Sequence, residues 1–105
     1  MQVTLDGKEI ELEMTHGAMR EIEKQIVSAY GYPDKCIAKT VTSSDVVSIY
    51  YNAQKGTAYN EQNIFDMVAA DGLSYHITQT FDVIMRFISG ARITKQLEEE
   101  AGKKQ

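Results

Sequence analysis

The side chains of this 105-residue sequence that first suggest a metal site or an attacking nucleophile are His16, His76, Cys36 and the step Ser43-Ser44-Asp45. Zinc needs three or four converging ligands. The two histidines fall on different predicted elements, with no Asp, Glu or Cys at ligand spacing to complete a set, so both are expected to be ordinary surface residues. Cys36 has neither a neighbouring histidine nor a second cysteine, which makes a half-buried structural thiol the expectation and a nucleophile the lesser alternative. Ser43-Ser44-Asp45 is better explained as a helix cap than as part of a catalytic triad. The 7 glycines are dispersed and build no phosphate loop. The sequence therefore predicts no catalytic residue, metal or cofactor, and a non-enzymatic protein.

Composition narrows the partners. A formal charge of −4, with 11 basic residues scattered among 15 acidic ones, disfavours general attachment to nucleic acid or to an anionic membrane surface. At 43% hydrophobic and 25% charged residues the chain can bury a core, and its length suits one domain. A single cysteine, no basic-then-apolar N-terminal segment and no apolar run near the ~18 residues of a membrane span point to a cytoplasmic protein.

The elements that must carry these side chains begin with Val3-Thr4-Leu5-Asp6-Gly7-Lys8-Glu9-Ile10-Glu11-Leu12, which alternates apolar and polar residues around an Asp-Gly turn. That pattern predicts a β-hairpin, whose apolar face must lie on something else to be stable. Thr15 is placed to cap a helix with Met19, Ile22, Ile26 and Tyr30 on one face, ended by Gly31-Tyr32-Pro33. Asp34 to Val41 allows a helical turn or two. Thr42-Ser43-Ser44 caps a helix reaching Lys55, with Val46, Val47, Ile49, Tyr50 and Ala53 inside, although the β-branched run from Val46 to Tyr51 also suits a strand. Asn60 caps a helix with Ile64, Phe65, Met67 and Val68 on its inner face, stopped by Asp71-Gly72. A last helix presents Leu73, Ile77, Phe81, Ile84 and Ile88, widened by Val83 and Phe87, and Gly90 marks its end or a flexible point. The expected fold class is α+β, an N-terminal β-hairpin packed on a bundle of four to five helices, with residues 1–90 as the domain and 91–105 as a mobile, charged tail.

The helix, Gly turn and helix from Asn63 to Met85 also suit a helix-turn-helix. The would-be recognition helix carries no Lys or Arg before Arg86, so the structural hairpin outweighs a DNA-binding regulator. The methionines are better explained as filling gaps in the core and the tyrosines as core-edge residues with their hydroxyls in water, an adaptable interface being the lesser alternative. Met67, with Ile93 and Leu97 on the tail, are the candidate partner contacts.

The hairpin sequence, followed by Thr15-His16-Gly17-Ala18-Met19-Arg20-Glu21-Ile22-Glu23, resembles the start of the tail assembly chaperones of long-tailed bacteriophages and gene transfer agents, and the likeness of layout runs from Val3 to about Gly90. The resemblance implies a non-enzymatic chaperone in the host bacterial cytoplasm. Such a chaperone binds the tape measure protein, covers its apolar surface and hands it to the tail tube protein. It also implies a longer frameshifted form, for which Ala101-Gly102-Lys103 can be encoded by the slippery GCG GGA AAA. A structural head or tail component of the particle is the other role open to such a chain, and self-association stays open.

Overall fold

The computed structural model describes residues 1–103, with side chains described as far as Gly90. Strands β1 (Gln2–Leu5) and β2 (Lys8–Glu11) pair antiparallel, with Val3 opposite Ile10 and Leu5 opposite Lys8. Asp6 and Gly7 take φ of 49° and 75°, the two positive values of a type I′ turn, whose twist matches the strands it joins. Gly7→Val puts a β-branched side chain where φ is positive. It is expected to cost about 1–2 kcal/mol, read as a lower urea midpoint at unchanged slope.

The hairpin alternates as expected: Val3, Leu5, Ile10 and Leu12 are buried, and the intervening residues face water. Five helices complete the described fold, α1 (His16–Ile26), α2 (Tyr32–Ile37), α3 (Ser43–Ala53), α4 (Glu61–Asp71) and α5 (Leu73–Lys103). This is the α+β hairpin-on-helices architecture that the periodicities predict. The hairpin lies against α4, α1 and α4 flank α3, and α5 packs on α2, α3 and α4. Leu5, Ile22, Ile49, Ile64 and Ile84 are fully buried where these layers meet. No described helix is long and apolar enough to cross a membrane.

Thr15 caps α1 by accepting the Ala18 N–H at 3.0 Å, and Asn60 caps α4 by accepting the Asn63 N–H at 2.8 Å. The 46–51 segment is helical and not a strand. Thr42 and Asp45 exchange side chain-to-backbone bonds there in a capping box, and Val46, Ile49, Tyr50 and Ala53 fall on one face. Instead of running to Lys55, α3 stops at Ala53. The chain then lies along β2, with Glu13 N–H on the Ala53 carbonyl at 2.7 Å and Lys55 N–H on that of Glu11 at 2.9 Å.

Other boundaries and faces differ from expectation for local reasons. Helix α1 ends at Ile26, not Tyr30: Val27 takes φ 76°, and the Glu23 carboxylate accepts the Ala29 N–H at 2.8 Å, turning the chain away. Tyr30 is left 58% exposed. Gly31 and Pro33 open α2 instead of closing α1, proline being well suited to a first turn where its missing N–H has no partner to lose. Phe65 sits on the outer face of α4, because Ile64, Met67 and Val68 already fill the arc that faces the core. Helix α5 continues through Gly90, so that glycine does not end it. The expected mobility of the 91–105 tail concerns side chains outside the described residues.

Candidate functional site

The groups with most chemical potential converge where β1, the end of α4, α3 and α5 meet. The line on α5 that enters the core is His76, Thr80, Val83, Ile84 and Ile88, while Leu73, Ile77 and Phe81 are only partly buried. This corrects the expectation for His76, which is fully buried rather than on the surface. A histidine enters such a core only with both ring nitrogens partnered. Here Nε2 lies 2.6 Å from Asp71 Oδ2 and Nδ1 lies 2.8 Å from Tyr50 Oη. The rings of Tyr50 and Tyr75 stand edge-on to the imidazole, with centroids 5.4 and 4.9 Å away.

The hydrogen-bond directions follow from donor inventory. The Asp6 backbone N–H donates to Asp71 Oδ2 at 2.8 Å, and this bond, then that from His76, holds the Asp71 carboxyl below its ordinary value. The carboxylate accepts, so His76 Nε2 carries the hydrogen, and in the neutral ring Nδ1 then accepts from the Tyr50 hydroxyl. Burial pushes the Tyr50 phenol well above its usual range, keeping it protonated and able to donate. Gln79 Nε2 donates to Tyr50 Oη at 2.8 Å and to the Thr4 carbonyl at 3.1 Å, while Gln79 Oε1 accepts the Thr4 N–H at 3.4 Å. One amide side chain thus occupies the outward backbone groups of Thr4 as a neighbouring strand would. Nearby, Tyr32 of α2 donates to Thr80 Oγ1 at 2.8 Å, and Thr80 passes its hydrogen to the His76 carbonyl at 2.7 Å.

An Asp–His–hydroxyl chain has the form of an acid–base relay. Tyr50 and His76 are both 0% exposed, so an external reacting atom has no route to the phenol in this arrangement. The relay instead fastens three helices to the hairpin.

His16 is exposed at the start of α1, its ring edge-on to Phe87 at 5.9 Å, and is far in role from His76. Cys36 is half-buried against the core, and burial raises its thiol, which disfavours the thiolate. Among the described residues no three His, Cys, Asp or Glu side chains come together as a metal site. Asp45 of the Ser-Ser-Asp step is spent on the α3 cap. Its other contacts are Gln25 Nε2 at 3.0 Å and Lys35 Nζ at 3.3 Å.

Of the predicted partner contacts, Met67 is only 5% exposed, a core residue at the base of a shallow depression beside Asp6, Lys8 and Tyr59. The side chains of Ile93 and Leu97 lie outside the described residues. The helix-turn-helix alternative meets an obstacle in α5: His76 and Thr80 point into the core and Gln79 is engaged by β1, removing three of the side chains that would read bases.

The surface instead offers a groove of about 450 Å³ across α3, walled by α1 and α4. Val47, Ser44, Ser48 and Asn52 line it from α3, with Lys24 and Gln25 on one wall and Phe65 on the other. Phe65 is 43% exposed. The comparisons with protein-family models, with curated proteins and with solved structures gave no match to this chain.

Proposed function

We propose that the protein is a non-enzymatic assembly chaperone of phage tail formation, which binds the tape measure protein in the host cytoplasm and delivers it to the growing tail tube. The observation that carries this reading is the N-terminal layout: a hairpin on an Asp-Gly turn, leading to a helix whose Thr15-His16-Gly17-Ala18 step is its N-cap, followed by a helical body. That is the layout of the family this sequence resembles.

An unassembled long helix carries a continuous apolar stripe, and helix-in-groove docking is the ordinary way to cover one reversibly. The groove over α3 suits that role: small serines allow close approach, Val47 and Phe65 offer apolar contact, and Lys24, Gln25, Glu61 and Gln62 form a polar rim. Purified protein is expected to bind helical fragments of the tape measure protein encoded in the same genome and to suppress their aggregation. Phe65→Glu should weaken that binding about tenfold or more at unchanged thermal stability. Failure to bind any tape measure fragment overturns the function, whereas binding unaffected by Phe65→Glu overturns only the choice of groove.

A further inference from the structure

We infer that the chain Asp71–His76–Tyr50–Gln79 is a proton-operated latch, in which protonation of His76 releases the outer edge of β1 from α5. The latch rests on the distances of the chain and is independent of the proposed chaperone role. In the closed arrangement every hydrogen has an acceptor: His76 Nε2–H on Asp71, the Tyr50 hydroxyl on His76 Nδ1, and the Gln79 amide on Tyr50 Oη and the Thr4 carbonyl.

A second imidazole proton, on Nδ1, faces Tyr50 Oη at 2.8 Å and forces the phenolic hydrogen off that line. The other polar atom at hydrogen-bond distance from Oη is Gln79 Nε2, a donor, at 2.8 Å. Tyr50 is fully buried, so bulk water does not supply an acceptor. Turning the Gln79 amide over presents Oε1 to the phenol and restores that bond. The same turn sets an oxygen 3.1 Å from the Thr4 carbonyl oxygen and an NH₂ group 3.4 Å from the Thr4 nitrogen, like against like. The added proton therefore disfavours the Gln79–Thr4 pair, and proton uptake is coupled to opening.

The groups around His76 divide these roles. Asp71, at the end of α4, faces Nε2 and holds the imidazolium in place, so the other side of the ring yields. Tyr50 on α3 and Tyr75 on α5 stand edge-on to the ring, and Tyr32 on α2 has its hydroxyl committed to Thr80. The hairpin turn contributes the Asp6 N–H to Asp71, with Asp6 and Lys8 at the rim of the depression beside Met67.

The test is an NMR titration of the full chain between about pH 7.5 and 5, the span over which histidine ordinarily changes charge. Imidazole ¹⁵N shifts follow the His76 proton, and the nuclear Overhauser contact between the Gln79 side-chain amide and Thr4 reports the edge. At the upper pH the shifts should show the Nε2–H tautomer with the contact present. The contact should fall at least about fivefold with the midpoint of His76, while contacts among Ile22, Ile49 and Ile64 persist. In Gln79→Ala, a change at one half-buried position, His76 should still titrate without any pH-dependent change in the environment of Thr4. The latch is overturned if His76 gains its proton with the Gln79–Thr4 contact intact, if it takes none before global unfolding, or if Thr4 responds equally in Gln79→Ala.

Discussion

Tyr50→Ala is expected to cost at least about 4 kcal/mol of folding stability, enough to bring a domain of this size near its unfolding midpoint in water. Tyr50 is one of the largest fully buried side chains, and it meets α5 through the His76 ring and the Gln79 amide. Truncation removes that packing and opens a cavity. It also leaves His76 Nδ1 without a donor and one Gln79 hydrogen without its acceptor, each inside the protein. Tyr50→Phe keeps the ring and loses only the hydroxyl, so its cost should be about 1–3 kcal/mol, mostly the penalty of the stranded partners. Urea unfolding of the two variants separates these contributions, and a double-mutant cycle with Gln79→Ala should show coupling of about 0.5–3 kcal/mol. Equal costs for the Phe and Ala variants would mean that packing around the ring is not what Tyr50 supplies.

The position of Tyr50 illustrates what the sequence makes legible. Its place on the inner face of α3 follows from apolar spacing, as do the buried positions of Val3, Leu5, Ile10 and Leu12 on the hairpin. Caps are legible for a similar reason, since Thr15, Thr42 and Asn60 satisfy backbone groups within three residues of themselves. What escapes is any feature whose partner is distant along the chain. On α5 an apolar-stripe reading selects Leu73, Ile77 and Phe81. The fold instead turns inward the adjacent line of His76 and Thr80, because Tyr50, Asp71 and Tyr32 provide their hydrogen bonds. The spacing of four between His76 and Thr80, in line with Val83 and Ile84, was the available signal, together with Asp71 just across Gly72. Phe65 escapes for the opposite reason: apolarity marks it for the core, but Ile64, Met67 and Val68 complete that face without it.

The bonding that hides His76 also bears on how the molecule should be probed. An Asp–His–Tyr arrangement with the histidine and tyrosine buried invites an enzymatic interpretation, yet its distances describe a fastening between hairpin and helices. Substitutions there will disturb any activity by disturbing the fold, so loss of function at His76 or Tyr50 is weak evidence for catalysis. The groove variant Phe65→Glu is more informative about partner binding, because that side chain is already 43% exposed.

Asp45→Ala is the second large effect, and its size should depend on pH. Asp45 is 1% exposed and accepts from the Thr42 N–H at 2.9 Å and Gln25 Nε2 at 3.0 Å, with Lys35 Nζ at 3.3 Å. Burial alone raises a carboxyl, but the bonds from Gln25 and Thr42 and the charge of Lys35 together outweigh it, holding Asp45 below its ordinary value. Near neutral pH, removing the carboxylate breaks the α3 capping box and strands the Gln25 amide, an expected loss of about 2–3 kcal/mol. A carboxyl lowered in the folded state stabilises the protein above its unfolded value of about 3.9, and that contribution disappears as pH falls through the folded value. The difference between wild type and Asp45→Ala, measured by urea unfolding, should therefore shrink between about pH 7 and pH 2.5. Asp71, lowered by the Asp6 N–H and His76, gives the variant a remaining acid limb of the same sign. A difference that stays constant over the whole range would show that Asp45 supports α3 through shape alone, with its charge contributing nothing to the cap.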